Sequence, residues 1–237
     1  MNIKVVFNSD RIKEDFSIGW GLSLLLDDKI LFDTGESAKS LINNMNKMEI
    51  DISLIEAVVI SHDHWDHTGG LWEILKQRPN INVYGCPGFG VAFKDKISDI
   101  SAKLIEDDNF TLVTSGIYST GEIIGEYKGE DISEQALIIK TDKGFSVITG
   151  CAHPGIIKIL ERVRMQLSLK EFYTVLGGFH LKDYSIKDVK EIVKKFTELK
   201  VMRVGPTHCS GSDAEQIFQE KYGNAFIEAK VGQVISV

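Results

Sequence analysis

The chain alternates short apolar runs with longer amphipathic stretches, and no segment repeats another. Residues 3–7, 21–26 and 29–32 have the aliphatic, β-branched character of strands, and Asp27-Asp28 supplies a tight turn between the last two. After Gly35, Leu41, Met45 and Met48 recur at helical spacing, which predicts a helix over 36–48. Residues 56–60 form an apolar strand run that leads straight into a polar cluster. Gly69 and Gly70 punctuate that cluster, before a predicted helix over 71–77 and a strand over 81–84. The stretch 85–133 has no sustained period. It reads as a substrate lid carrying Phe89, Phe93, Lys94 and Lys96, or as an elaborated sheet edge.

The second half has the same style without the same sequence. Residues 136–141 and 145–149 pair around Asp142-Lys143-Gly144, and a helix follows over 155–167. Strands are predicted at 173–176, 202–204, 226–228 and 233–237, with helices over 188–199 and 214–222. Two sheets packed face to face with helices outside would bury both sets of apolar strand faces. The pattern therefore predicts one α/β domain over 1–237, an αββα sandwich of two mixed sheets.

Composition narrows the function classes. The chain has 237 residues, 43% of them hydrophobic and 26% charged, an ordinary globular balance. Its net charge of −7 argues against bulk electrostatic binding to nucleic acid or an anionic membrane. A small anionic substrate held by local positive groups or a metal remains compatible with that charge. No apolar run approaches the roughly 20 residues of a membrane helix, and the opening MNIKVVFNSDR lacks the pattern of a secretory signal. Three cysteines, Cys86, Cys151 and Cys209, are too few and too odd in number for a disulfide framework. A reduced, cytoplasmic protein is expected.

The six histidines carry the chemistry. Three fall within His62-Asp63-His64-Trp65-Asp66-His67, and His153, His180 and His208 each lie just past a predicted strand. Strand ends on one edge of an α/β sheet are where ligands usually bind. Residues two apart after a strand point the same way, so His62 and His64 suit one metal ion. Asp66 and His67 lie a turn further on and suit a second, while Asp63 faces solvent or supports the cluster. Imidazole and carboxylate favour zinc, with iron or manganese also compatible.

The HDHWDH segment resembles the H-x-H-x-D-H signature of the metallo-β-lactamase superfamily, and Phe32-Asp33-Thr34-Gly35 resembles the Asp-Thr-Gly turn that precedes it there. GCAHPGI, GGFHL and PTHCSG are similar to the group named for dihydropterin–ribofuranosylaminobenzene phosphate synthase. The resemblance spans essentially the whole chain and implies the αββα sandwich. It implies two divalent metal ions: His62, His64 and His153 on the first, Asp66, His67 and His208 on the second. It also implies that Asp33 orients the histidines by hydrogen bonds, as a carboxylate behind metal-bound imidazole does. The chain departs from the family in having no histidine between His67 and His153. No Asp stands in a Gly-Asp turn to bridge the ions, and Cys151 occupies the corresponding place.

Cys151 is therefore either a thiolate ligand or a small buried hydrophobe. His180 is an additional ligand, a general acid for the leaving group, or a strand-end residue bonded to backbone. Cys86 and Cys209 are read as packing residues. Trp20, Trp65 and Phe179 wall a pocket or belong to the core. Thr207, Ser210, Gly211 and Ser212 form either a phosphate-binding helix start or an ordinary N-cap.

The chemistry expected from two such ions is hydrolysis by a metal-bound hydroxide, with Asp66 and His180 as catalytic residues. A phosphoester of a small metabolite is the expected substrate. Two other readings remain: a condensing transferase of the synthase type that releases pyrophosphate, and a non-catalytic metal-binding module.

Overall fold

Residues at the start of the chain form β1 (Asn2–Phe7), β2 (Ser23–Leu26) and β3 (Ile30–Phe32), and every side chain of β2 and β3 is buried. The turn between them places Asp27 and Asp28 at φ 45° and 60°, values that short acidic side chains tolerate. Then come α1 (Ala38–Lys47), β4 (Ala57–Val59), α2 (Trp65–Thr68), α3 (Leu71–Gln77), β5 (Asn82–Gly85), α4 (Val91–Asp99) and β6 (Lys103–Glu106). In this computed structural model, which describes residues 1–237, the chain divides into two compact units. The first comprises 1–108 with 229–236, and the second 109–228 with 237.

The first unit holds one seven-stranded sheet, ordered from the closing strand Val234–Ser236 through β1, β2, β3, β4 and β5 to β6. The closing strand, β1, β2 and β3 pair antiparallel, whereas β3 to β6 are parallel and need crossovers, which α1, α3 and α4 help supply. Ser37 caps α1 by accepting from the Ser40 N–H at 3.3 Å. The helices bury Leu41, Met45, Leu71, Ile74, Leu75, Phe93 and Ile97 against Val6, Leu25, Leu31, Val58 and Val83 of the sheet.

The second unit begins with β7 (Thr111–Thr114), β8 (Ile117–Ser119), β9 (Ile123–Tyr127) and β10 (Glu130–Glu134). It continues with β11 (Leu137–Thr141), β12 (Gly144–Thr149), α5 (Ile156–Leu167), β13 (Phe172–Gly178), α6 (Ile186–Glu198), β14 (Val201–Thr207) and α7 (Ser212–Tyr222). Its sheet runs β14, β13, β12, β11, β8, β7, with β12, β13 and β14 parallel, and β9 and β10 form a separate hairpin. Apolar faces of α5, α6 and α7 close over Val147, Val175 and Val204. Phe179 joins Phe196 and Phe218 there, with ring centroids 5.0–5.7 Å apart, so it is a core residue.

The sequence pattern falls short in two places. The stretch 85–133 is regular: it supplies α4 and the five strands β6 to β10. Most residues of β6, β7 and β9 are partly or fully exposed, so those strands lack the continuous apolar run that marks a central strand. Phe89 and Phe93 pack in the first unit's core, Lys94 pairs with Glu106 at 2.6 Å, and Lys96 lies 3.8 Å over Trp72. At 226–228 only one bridge forms, Phe226 with Val204, in place of a strand. No helix is long and apolar enough to cross a membrane.

Candidate metal centre

In the first unit the cluster leaves the end of β4, a strand buried along its whole length. Asp33, at the end of β3, anchors it. Its Oδ1 accepts from the Ser61 N–H at 2.7 Å, and its Oδ2 accepts from the Ser61 hydroxyl and from His67 Nδ1, each at 2.7 Å. Because Ser61 gives its proton to Asp33, the 2.9 Å contact between Ser61 Oγ and His62 Nδ1 is a bond donated by His62. One carboxylate thus sets two imidazoles, His67 directly and His62 through Ser61, leaving the lone pair of each on Nε2. Burial pushes the Asp33 carboxyl above its ordinary value, and the His67 ring and Ser61 offset this only in part.

Thr34 completes the clamp: its N–H and its hydroxyl both donate to the His67 carbonyl at 2.8 Å. α2 starts directly after His64, whose carbonyl accepts from the His67 and Thr68 N–H groups at 3.0 and 3.1 Å. That turn brings the His62 ring to 4.7 Å from His64 and 4.2 Å from His67, centroid to centroid. Asp66 Oδ2 lies 3.6 Å from His67 Nε2. Asp63 points away from this group and accepts from the Gly90 N–H, at the start of α4, at 2.7 Å. Trp65 is 62% exposed and Trp20 37%, so neither is a core residue.

In the second unit, the donors leave the ends of three adjacent parallel strands. Cys151 and His153 follow β12, His180 follows β13, and His208 and Cys209 follow β14. Ala152, His180 and His208 each take a left-handed backbone, at φ 61°, 53° and 54°. Asp33 does the same in the first unit, at φ 56°. Non-glycine residues in this region cost of order 1–3 kcal/mol each, and such strain gathers at functional sites.

Glu134, at the end of β10, organises the turn after β12. Its Oε1 accepts from the N–H groups of Cys151 and Ala152 at 3.0 and 2.7 Å, and its Oε2 from the N–H and Nδ1 of His153 at 2.8 and 2.9 Å. Burial alone would raise this carboxyl. The hydrogen bond and charge of His153, with the backbone N–H groups, outweigh burial and hold it below its ordinary value. An ionised Glu134 keeps the proton on His153 Nδ1 and the lone pair on Nε2.

The donor atoms of Cys151, His153 and His180 lie within 4.8 Å of one another, and so do those of Cys151, His208 and Cys209. The His153 and His180 rings are 4.6 Å apart, with Tyr127 edge-on to both. His180 rises above its ordinary value through its bond to Cys209, despite burial. Burial opposes ionisation of Cys209, yet hydrogen bonds from Cys151 and His180 and the charge of His208 hold its thiol well below the usual range. Cys209, read from sequence as packing, thus sits among donors, whereas Cys86 belongs to the first unit's core. Ser210 is no cap for α7; its hydroxyl accepts from the Phe179 N–H at 3.0 Å.

These groups suit a transition-metal dication. Imidazoles oriented from behind by carboxylates, buried thiols and a carboxylate are the donors such ions take. The Nδ1 of His180, buried without a hydrogen-bond partner, is an orphan of the kind a cation resolves. Sequence reasoning had named all six histidines, Asp33, Asp66 and Cys151, but missed Ser61 and Glu134. Adjacency to His62 pointed to Ser61; nothing in the sequence marked Glu134.

The chain belongs to the metallo-beta-lactamase superfamily, whose family model matches residues 22–208. Members of this superfamily typically bind divalent metals, and the second unit presents two candidate ligand groups of its own. A curated relative from Methanocaldococcus jannaschii, 7,8-dihydropterin-6-methyl-4-(beta-D-ribofuranosyl)-aminobenzene-5'-phosphate synthase, is 29% identical over 91% of this chain and 89% of its own. Among solved structures, Tm1679, described as a metal-dependent hydrolase of the beta-lactamase superfamily, is also 29% identical. It covers 100% of this chain and 99% of its own, with a TM-score of 0.82. The metallo-beta-lactamase fold protein YhfI from Bacillus subtilis shares the fold, with a TM-score of 0.71 at 15% identity over 99% of each chain.

Proposed function

We propose that this protein is a metal-dependent hydrolase acting on a phosphoester of a small metabolite. The observation that carries this reading is the pairing of a buried carboxylate with the outer nitrogen of a histidine in each unit, Asp33 with His67 and Glu134 with His153. Neither pairing is needed to fill a core, and each holds an imidazole in the tautomer that presents Nε2 as a ligand. The ligand set we assign is His62, His64, Asp66, His67, His153 and His208, with Cys151 and His180 added from the second unit. Two divalent ions, zinc foremost, would lower the pKa of water and polarise a phosphoryl oxygen.

The chain's own groups do the rest. Asp33 and Ser61 keep His62 and His67 from turning, so their positions cost nothing to organise during reaction. His180, on its left-handed strand end beside Tyr127, is held with its donor atom within 4.8 Å of those of Cys151 and His153, as a ligand needs. A small phosphorylated anion is the expected partner; no nucleic acid or membrane surface is expected, given the net charge of −7.

The likeness to the Methanocaldococcus jannaschii synthase over 91% of this chain favours a second reading, a condensing transferase. One experiment separates the two. The zinc-loaded protein is assayed for phosphodiester and phosphomonoester hydrolysis, and in parallel for pyrophosphate release from a dihydropterin diphosphate with ribofuranosylaminobenzene phosphate. Turnover in the first assay alone supports the hydrolase. Pyrophosphate release dependent on both substrates overturns it in favour of the transferase.

A further inference from the structure

Cys151 and Cys209 follow strands that are not neighbours. β13 lies between β12 and β14, and two strand spacings separate backbones by about 9.5 Å. Yet the two sulfurs and a His208 ring nitrogen lie within 4.8 Å of one another, and Cys209 Sγ is 3.6 Å from the Cys151 carbonyl. Both thiols are buried, at 4% and 5% exposure.

What allows this approach is the end of the intervening strand. A Cβ on Gly178 would stand 2.7 Å from Cys209 Sγ, 2.3 Å from the Gly150 carbonyl and 3.2 Å from the Cys151 Cα. Any side chain there would occupy the space into which the Cys209 sulfur reaches. The left-handed turns at Ala152 and His208, each one residue from a cysteine, direct the two chains away from their strands. Glu134 fixes the Cys151 side by binding its N–H. Burial in a well-packed core requires none of these devices, whereas bringing two sulfurs together across a strand requires them all.

We infer that Cys151 and Cys209 are a two-sulfur ligand pair, so that the metal centre holds its cation partly by thiolate and selects zinc or iron over manganese and magnesium. This inference rests on the metalloenzyme reading above. Cys151 is common to both donor groups of the second unit, one with His153 and His180, the other with His208 and Cys209. On ligation each S–H bond breaks, the proton leaves to water, and the sulfur lone pair forms the metal–sulfur bond. No electron is transferred and no oxidant is needed. Thiolate is a soft ligand, which suits zinc and iron, whereas magnesium and manganese prefer oxygen.

The test is cobalt(II) titration of the reduced, metal-stripped full chain. Visible ligand-field bands report that cobalt binds, and an ultraviolet sulfur-to-cobalt charge-transfer band reports thiolate. Both are expected in the wild type. Cys209→Ser should lose about half the charge-transfer intensity, the share of one of two thiolates, and Cys151→Ser/Cys209→Ser should lose all of it. Cys86→Ala, altered in the first unit's core, should retain it. Ligand-field bands without charge transfer, or charge transfer indifferent to Cys209→Ser, would overturn the pair and leave the metalloenzyme reading standing. No ligand-field bands at all would overturn both. X-ray absorption of the zinc-loaded wild type needs no variant: sulfur scattering at about 2.3 Å is expected, and its absence refutes the inference.

Discussion

Replacing Glu134 by glutamine changes one atom and sets two consequences apart. The carboxylate accepts four hydrogen bonds, two on each oxygen, and all come from N–H donors. An amide has only one acceptor oxygen, so its NH2 must face donors whichever way it is turned. Turned toward Cys151 and Ala152, it leaves two backbone N–H groups unsatisfied. Turned toward His153, it leaves one, and it donates to Nδ1 instead of accepting from it. The second orientation costs less and should prevail. One orphaned buried N–H costs about 1–3 kcal/mol, which for a chain of this size lowers Tm by roughly 5 °C.

The larger effect is chemical. With Nδ1 turned into an acceptor, the His153 proton moves to Nε2, the nitrogen meant for the metal. Loss of such an orienting partner weakens metal binding about 10- to 100-fold. Calorimetric zinc titration of Glu134→Gln beside the wild type measures this, with urea unfolding of both metal-free forms as the stability control. Glu134→Gln that binds zinc as tightly as the wild type while losing the expected stability would refute the assignment of His153 as a ligand oriented by Glu134.

Asp33→Asn should separate stability from metal binding more sharply. Asparagine tolerates the left-handed φ of 56° and removes a buried charge. Metal-free stability should therefore stay within about 1 kcal/mol of wild type, while zinc affinity falls about 10- to 100-fold, as read by chemical unfolding and competition with a chromophoric chelator. His64→Ala should lower the metal content below the about two equivalents per chain expected of a two-metal site, measured by elemental analysis of protein purified without chelator. Stripping the metal should lower Tm by roughly 5–10 °C relative to protein in zinc at about 100 times its Kd, and scanning calorimetry with and without chelator checks this. Gly178→Ala should cost about 1–3 kcal/mol through overpacking and displace the Cys209 sulfur, reducing the cobalt charge-transfer band.

The site was legible where it is written in consecutive residues. His62 to His67 and Asp33-Thr34-Gly35 could be read directly, because strand and turn geometry bring near neighbours together. Ser61 had only its place beside His62 to mark it, and Glu134 had nothing. Glu134 meets His153 only because β10 ends beside the turn after β12, and a glutamate in a polar stretch carries no sign of burial. The relation of Cys209 to Cys151 is not written in the sequence, because it depends on strand order, with β13 between them and a glycine at the contact. β3 and β4 are equally plain, being buried along their whole length and apolar throughout. The outer strands β6, β7 and β9 are not, since they have too few buried positions to generate a period.

The closing strand Val234–Ser236 pairs with β1 through Asn2, Ile3 and Lys4, so the first unit joins residues 229–236 to residues 1–108. During synthesis residues 229–236 emerge only after the whole of 109–228. The outer edge of β1 must therefore wait, unpaired, while the entire second unit leaves the ribosome. An open edge of this kind is a template for strand addition by another chain. Residues 1–108 expressed alone should accordingly self-associate, and supplying 229–236 as a peptide should suppress that. The later-made strand Val234–Ser236 acts as the guard of the earlier-made β1, and nascent chains stalled before residue 229 are the ones that would call on chaperones.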